Sequence, residues 1–72
     1  MVVLKVHKRE KLIEARGNRS QKYISSSLGI TQQYLSKIEK GYCRPSLKVA
    51  YDLSSYYGIS INELFPDLIN NK

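Results

Sequence analysis

Three glycines punctuate the chain, and each is soon followed by a residue that can start a helix. Leu28-Gly29-Ile30 precedes Thr31, Lys40-Gly41 precedes Ser46, and Tyr57-Gly58-Ile59 precedes Ser60. Glycine tolerates the left-handed conformation in which helices end, and a Ser or Thr hydroxyl accepts a free N–H of the next first turn. Ser60-Ile61-Asn62-Glu63 also fits the S-x-x-E capping box, and Ser20 precedes a further helical pattern. A chain cut at these points forms short helices. The pattern predicts five, at roughly 6–16, 21–28, 32–40, 47–57 and 61–65.

Apolar spacing agrees. Ile24 and Leu28 are four apart, Leu35 and Ile38 three apart, and Leu47, Ala50, Leu53 and Tyr57 form a stripe at helical spacing. Each set is expected to face a common core. No useful length alternates with period two, so no sheet is expected; Val2-Val3-Leu4 leaves a short strand open as an alternative. The expected fold class is all-α, as one domain over 1–72, with its core at about 6–65 and a short tail at 66–72.

The chain has 72 residues, twelve of them Lys or Arg against six Asp or Glu, a net charge of +6. The excess is uneven. Residues 1–22 carry seven basic and two acidic side chains, residues 23–45 three and one, and residues 46–72 two and three. The first two-thirds suits an anionic partner such as nucleic acid, and the last third suits packing or pairing. A core this small is marginal, and dimerisation adds stability to such domains. The single cysteine, Cys43, excludes an internal disulfide framework and fits a reducing compartment. The opening MVVLKVHKRE has only a very short apolar run, too short for a signal-peptide core or a membrane span. A cytoplasmic protein without membrane association is expected. One His and one Cys do not make a metal site, and the scattered acids offer no nucleophile–base pair. An enzyme, a metal and a cofactor are therefore not expected.

The chemistry that remains is recognition. Two short helices joined by a glycine turn make a helix-turn-helix unit. Ile24 and Leu28 suit the inner face of its first helix, and Ser25 is small enough for a close crossing. Gly29 frees the turn, Ile30 plugs it, and Leu35 and Ile38 close the core from the second helix.

Over about residues 8–65 the chain resembles the Cro/CI-type, or xenobiotic-response-element-type, helix-turn-helix domain. The most specific matches are Ser20-Gln21, Leu28-Gly29-Ile30, Leu35-Ser36-Lys37-Ile38-Glu39-Lys40-Gly41, Pro45-Ser46-Leu47 and Gly58-Ile59-Ser60. The resemblance implies a compact five-helix lambda-repressor-like domain, with the unit at helices 2 and 3. It also implies a bacterial or phage transcriptional regulator, commonly dimeric, that binds operator DNA. Members often pair a first-helix arginine with the glutamate matching Glu39, and either Arg16 or Arg9 fits that role. Where members carry Gly-Leu before the Ser/Thr-Gln pair, this chain has Asn18-Arg19. Asn can adopt the left-handed conformation in place of glycine, and Arg19, which removes an apolar contact, is a candidate to add a phosphate contact.

On a helical wheel, Leu35 and Ile38 point inward and leave Gln33, Ser36, Lys37 and Lys40 on the free face, flanked by Gln32 and Tyr34. Glutamine can bond adenine N6 and N7, and lysine can donate to guanine O6 and N7. Lambdoid phage repressors and Cro proteins similarly place glutamines at the start of this helix. By that resemblance Gln32, Gln33 and Lys37 are the candidate base readers, with Ser36 and Tyr34 secondary. Gln21, at a helix start, is the candidate phosphate holder, joined by Lys40, Tyr42 and Arg44, and by Lys22 and Arg19. Taken alone, Lys37 and Lys40 also fit a plain solvated face. Tyr51, Tyr56 and Tyr57 fit core or dimer packing, and Tyr23 half-exposed packing.

The expected function is a sequence-specific double-stranded-DNA-binding regulator, a repressor acting as a homodimer. Its half-sites would lie one helical turn, about 34 Å, apart. The candidate pairing surface is Ile61, Leu64, Phe65, Leu68 and Ile69, against the alternative that Leu64 and Phe65 only complete the core. No small-molecule effector is evident. The competing reading is a protein-interaction module of the same fold, such as an antitoxin half, though only seven residues follow Phe65 to serve as a toxin-binding extension.

Overall fold

A computed structural model describes residues 8–69. Its helices are α1 (Glu10–Arg16), α2 (Gln21–Leu28), α3 (Gln32–Lys40), α4 (Leu47–Tyr57), α5 (Ile61–Leu64) and α6 (Pro66–Ile69). No strand occurs among the described residues; Val2-Val3-Leu4 lies outside them. The architecture is the all-α, lambda-repressor-like one, with one short helical turn more than the five expected.

The caps form where the sequence places them. The hydroxyls of Ser20, Thr31, Ser46 and Ser60 accept from the backbone N–H of Tyr23, Tyr34, Val49 and Glu63, at 3.0, 3.0, 3.2 and 3.3 Å. Each satisfies a donor that the helix itself leaves free. Gly29 closes α2 at φ +73°, and its N–H and that of Ile30 return to carbonyls of the last turn. A Cβ at Gly29 would meet nothing within 4 Å, so this turn requires a left-handed backbone rather than empty space.

The core is one cluster of Leu12, Ile24, Leu35, Ile38, Ala50, Leu53, Leu64 and Phe65, all fully buried. Burying each of the larger side chains stabilises the fold by about 1.5–3 kcal/mol. Leu28, Ile30 and Tyr57 pack against the cluster from its edge. Ser25, 3% exposed, is buried in α2, which packs directly on α3.

Four expectations are corrected. Helix α1 begins at Glu10 rather than near residue 6, because Arg9 leaves helical geometry (φ −87°, ψ 87°) and its N–H bonds the Glu39 carbonyl at 2.9 Å. Asn18 does not take a left-handed conformation; among the described residues only glycines have positive φ, and Gly17 turns the chain there. Leu47 is 80% exposed, so the inward stripe of α4 begins one turn later, at Ala50. Finally, α5 stops at Leu64 and α6 starts at Pro66. Proline disfavours helical geometry in the residue before it, and itself suits the first position of a helix. Phe65 accordingly adopts φ −133°, ψ 65° between the two.

Candidate nucleic-acid interface

Helix α3 is held by its inner face. Leu35 and Ile38 are fully buried, while Gln32, Gln33 and Lys37 are exposed and Ser36 is half-exposed. Gln21, at the start of α2, joins Gln32, Gln33 and Ser36 around one shallow polar concavity. The fold therefore gathers three of the candidate readers and the principal phosphate candidate at one place. Lys22 is exposed beside Gln21 in the chain, and Lys40, Tyr42 and Arg44 are exposed at and after the end of α3.

Beneath this face lies a buried carboxylate. Glu39, 2% exposed, receives Arg16 Nε at 2.7 Å on one oxygen; the other accepts Arg16 Nη2 at 3.0 Å and the Gln21 amide at 2.8 Å. The hydrogen bond to Glu39 holds the Arg16 guanidinium above its ordinary pKa. Arg16, not Arg9, is thus the partner of Glu39. The network joins α1, the start of α2 and α3, so the amide of Gln21 is oriented from below.

This burial has an electrostatic consequence. Between Gln21 and Pro45 the charged residues are Lys22, Lys37, Lys40, Arg44 and Glu39. All four cations are exposed, and the one acid is buried and paired. Every charge this segment shows to solvent is positive.

Three sets of candidates have partners within the fold that the sequence did not show. Tyr34 is half-buried against the core, and its hydroxyl oxygen accepts the Ser46 N–H at 3.1 Å. It braces α3 to the start of α4. Arg19 donates to the carbonyls of Ala15 and Arg16 and lies over the rings of Tyr56 and Tyr57, at 5.7 and 5.6 Å. Its guanidinium closes the end of α1 while the residue stays exposed to solvent. Leu64 and Phe65 are fully buried within the chain and offer no pairing surface. Ile61 and Leu68 are half-buried at the core's edge, and the Ile69 side chain lies outside the described residues. Tyr51, expected in core or dimer packing, is 64% exposed and so is not part of the core.

Sequence reasoning did not single out Asp67. It accepts the Arg9 guanidinium on both carboxylate oxygens, at 3.2 and 2.8 Å. The available signal was an acid just after a proline, in the first turn of a short helix.

This is a small helical domain with a helix-turn-helix at α2 and α3 and a polar, positively charged outer face. The family model described as helix-turn-helix matches residues 10–64, and the chain belongs to that family. It is 34% identical over 55 residues to an uncharacterised HTH-type transcriptional regulator of Methanocaldococcus jannaschii, covering 76% of this chain and 83% of that one. Over 57 residues it is 30% identical to an uncharacterised HTH-type transcriptional regulator of Archaeoglobus fulgidus, covering 79% of this chain and 80% of the relative. Both relatives are archaeal, so the expected bacterial or phage setting gains nothing from them. No solved structure gives a significant match. Among the described residues no helix is long and apolar enough to cross a membrane.

Proposed function

We propose that the protein is a sequence-specific double-stranded-DNA-binding transcriptional regulator, a repressor that acts as a homodimer on a near-palindromic operator. The observation that carries this reading is the unopposed positive charge of residues 21–45, set around an exposed Gln32-Gln33 pair. Membership of the helix-turn-helix family, and relatives named as transcriptional regulators, support it.

In this reading the first turn of α3 enters the major groove. Gln32 and Gln33 bond adenine edges, and Lys37 donates to guanine, with Ser36 beside them. Gln21, Lys22, Lys40, Tyr42 and Arg44 hold phosphates on either side and set the register. Pairing uses the remaining half-exposed apolar residues of the C-terminal segment, Ile61 and Leu68, and places two reading helices about 34 Å apart.

A second reading, a protein-interaction module of the same fold, draws on the 80% and 64% exposure of Leu47 and Tyr51 on α4. One experiment separates the two. Binding to the protein's own upstream DNA is measured with random DNA as competitor at several salt concentrations. A regulator prefers its own site, and its affinity falls steeply with salt; equal affinity for both DNAs contradicts the first reading.

A further inference from the structure

Arg9 precedes α1 and is only 8% exposed. A buried guanidinium is costly unless its donors are satisfied, and four of its five N–H groups have partners. Nη1 donates to the carbonyls of Ile38 at 2.6 Å and Cys43 at 3.0 Å. Nε and Nη2 donate to the two oxygens of Asp67. The Phe65 ring lies 5.4 Å from the guanidinium carbon. The backbone N–H of Arg9 also donates to Glu39 O at 2.9 Å.

These contacts meet at one functional edge. The last four carbonyls of a helix lack partners within it; Arg9 serves two of them at the end of α3, where a cation also complements the helix dipole. The third carbonyl, that of Cys43, sits between Tyr42 and Arg44, the two exposed phosphate candidates. On the other side Asp67, in α6, grips the guanidinium, and the Asp67 side chain is 51% exposed. A lysine cannot replace this arrangement, because it lacks the planar fork that reaches two carbonyls and a carboxylate together.

We propose that Arg9 is a positioning residue for recognition: held by Asp67, it fixes the end of α3 and the loop after it, so that α6 governs how sharply the protein discriminates between DNA sequences. The inference rests on the DNA-reading function proposed above. A loop already fixed pays no further ordering cost on binding, whereas a loosened loop pays it on every sequence and holds the reading helix less well in register.

The test pairs amide hydrogen exchange with DNA binding in the full chain. The variants are Asp67→Asn, Asp67→Glu and, as a control, Glu63→Gln, since Glu63 lines one surface groove together with Arg9 and Asp67. The amides of Gly41 and Tyr42, which donate to Ile38 O and Lys37 O, are expected to exchange about tenfold faster in Asp67→Asn than the loss of global stability alone gives, that loss being read from the core amides of Leu35 and Ala50. The ratio of affinities for a DNA selected by the wild type from a random pool and for random DNA is expected to fall about tenfold. Asp67→Glu restores both readouts. Glu63→Gln, which also removes one negative charge, leaves the ratio intact. Wild-type exchange at Gly41 and Tyr42 in Asp67→Asn overturns the proposal, as does faster exchange with undiminished discrimination. A wild type that selects no sequence sinks the DNA-reading function and the recognition role of Arg9 with it, while the exchange data still decide whether the grip exists.

Discussion

Arg16 and Glu39 meet through two hydrogen bonds, at 2.7 and 3.0 Å, where Glu39 has almost no contact with water. The pair bolts α1 to the helix that carries the candidate readers. Removing one partner strands the other, which is far more costly than the pair's own net contribution. Arg16→Ala is expected to lower stability in urea denaturation by about 3–5 kcal/mol, a large part of what a domain this small possesses. Glu39→Gln, which leaves no stranded carboxylate, costs less. A loss under about 1 kcal/mol for Arg16→Ala would show that the pair behaves as a surface ion pair.

Much of the fold was legible because local signals and packing agree. The four hydroxyl caps and the glycines at 29, 41 and 58 are short-range chemistry, and α2, α3 and α4 formed within the expected bounds. The apolar pattern of α2 and α3 also separated the inner face of the unit from its free face. What was not legible depends on distant partners. Arg9 and Asp67 are 58 residues apart, and no spacing rule joins them. The choice between Arg9 and Arg16 for Glu39 turned on where α1 begins, which a tertiary hydrogen bond to α3 decides. Tyr34 lies at the edge of the exposed face on a wheel, and only the position of Ser46 shows that its hydroxyl is engaged. The apolar C-terminal run read equally as core or interface, because hydrophobicity does not say which surface covers it.

Phe65 belongs to the core, and the correction can be measured. Phe65→Ala is expected to cost about 3–5 kcal/mol through lost burial and the cavity left behind. The shift in the unfolding midpoint should be independent of protein concentration. A shift that grows as the protein is diluted would instead mark Phe65 as part of a pairing surface.

The Tyr57 hydroxyl is buried and has no hydrogen-bond partner among the described residues. Burial, and next the negative charge of Glu39, push its pKa up to about 12. The neutral phenol is thus favoured in the folded state, whereas the unfolded chain ionises near pH 10. Stability should therefore fall as pH rises from about 10 to about 12. Tyr57→Phe removes the unpaired hydroxyl while keeping a ring under Arg19. It is expected to raise stability by up to about 1 kcal/mol at pH 7 and to weaken the alkaline loss, both checked by thermal unfolding across pH.

At the acid end the relevant carboxyl is Asp67. Its hydrogen bond to Arg9, then the charges of Arg9 and Arg44, hold it below the usual carboxylate range. The unfolded chain binds that proton more readily, so the stabilisation is present above about pH 4 and is lost as pH falls below it. Melting curves between pH 7 and 3 should show Asp67→Asn less stable than wild type at neutral pH. The two should converge in acid; a constant difference across that range would mean that the Asp67 charge contributes nothing.

In the proposed function the free face of α3 reads base edges while its surroundings hold phosphates. This is tested most directly by measuring wild type, Gln33→Ala, Lys40→Ala and Arg44→Ala against a selected site and all its single-base variants. Gln33→Ala is expected to lose about 1–3 kcal/mol of discrimination at one base position, while Lys40→Ala and Arg44→Ala weaken every sequence alike and flatten the salt dependence. If Gln33→Ala instead weakens the selected site and random DNA equally, α3 does not read sequence through that residue and the account is contradicted.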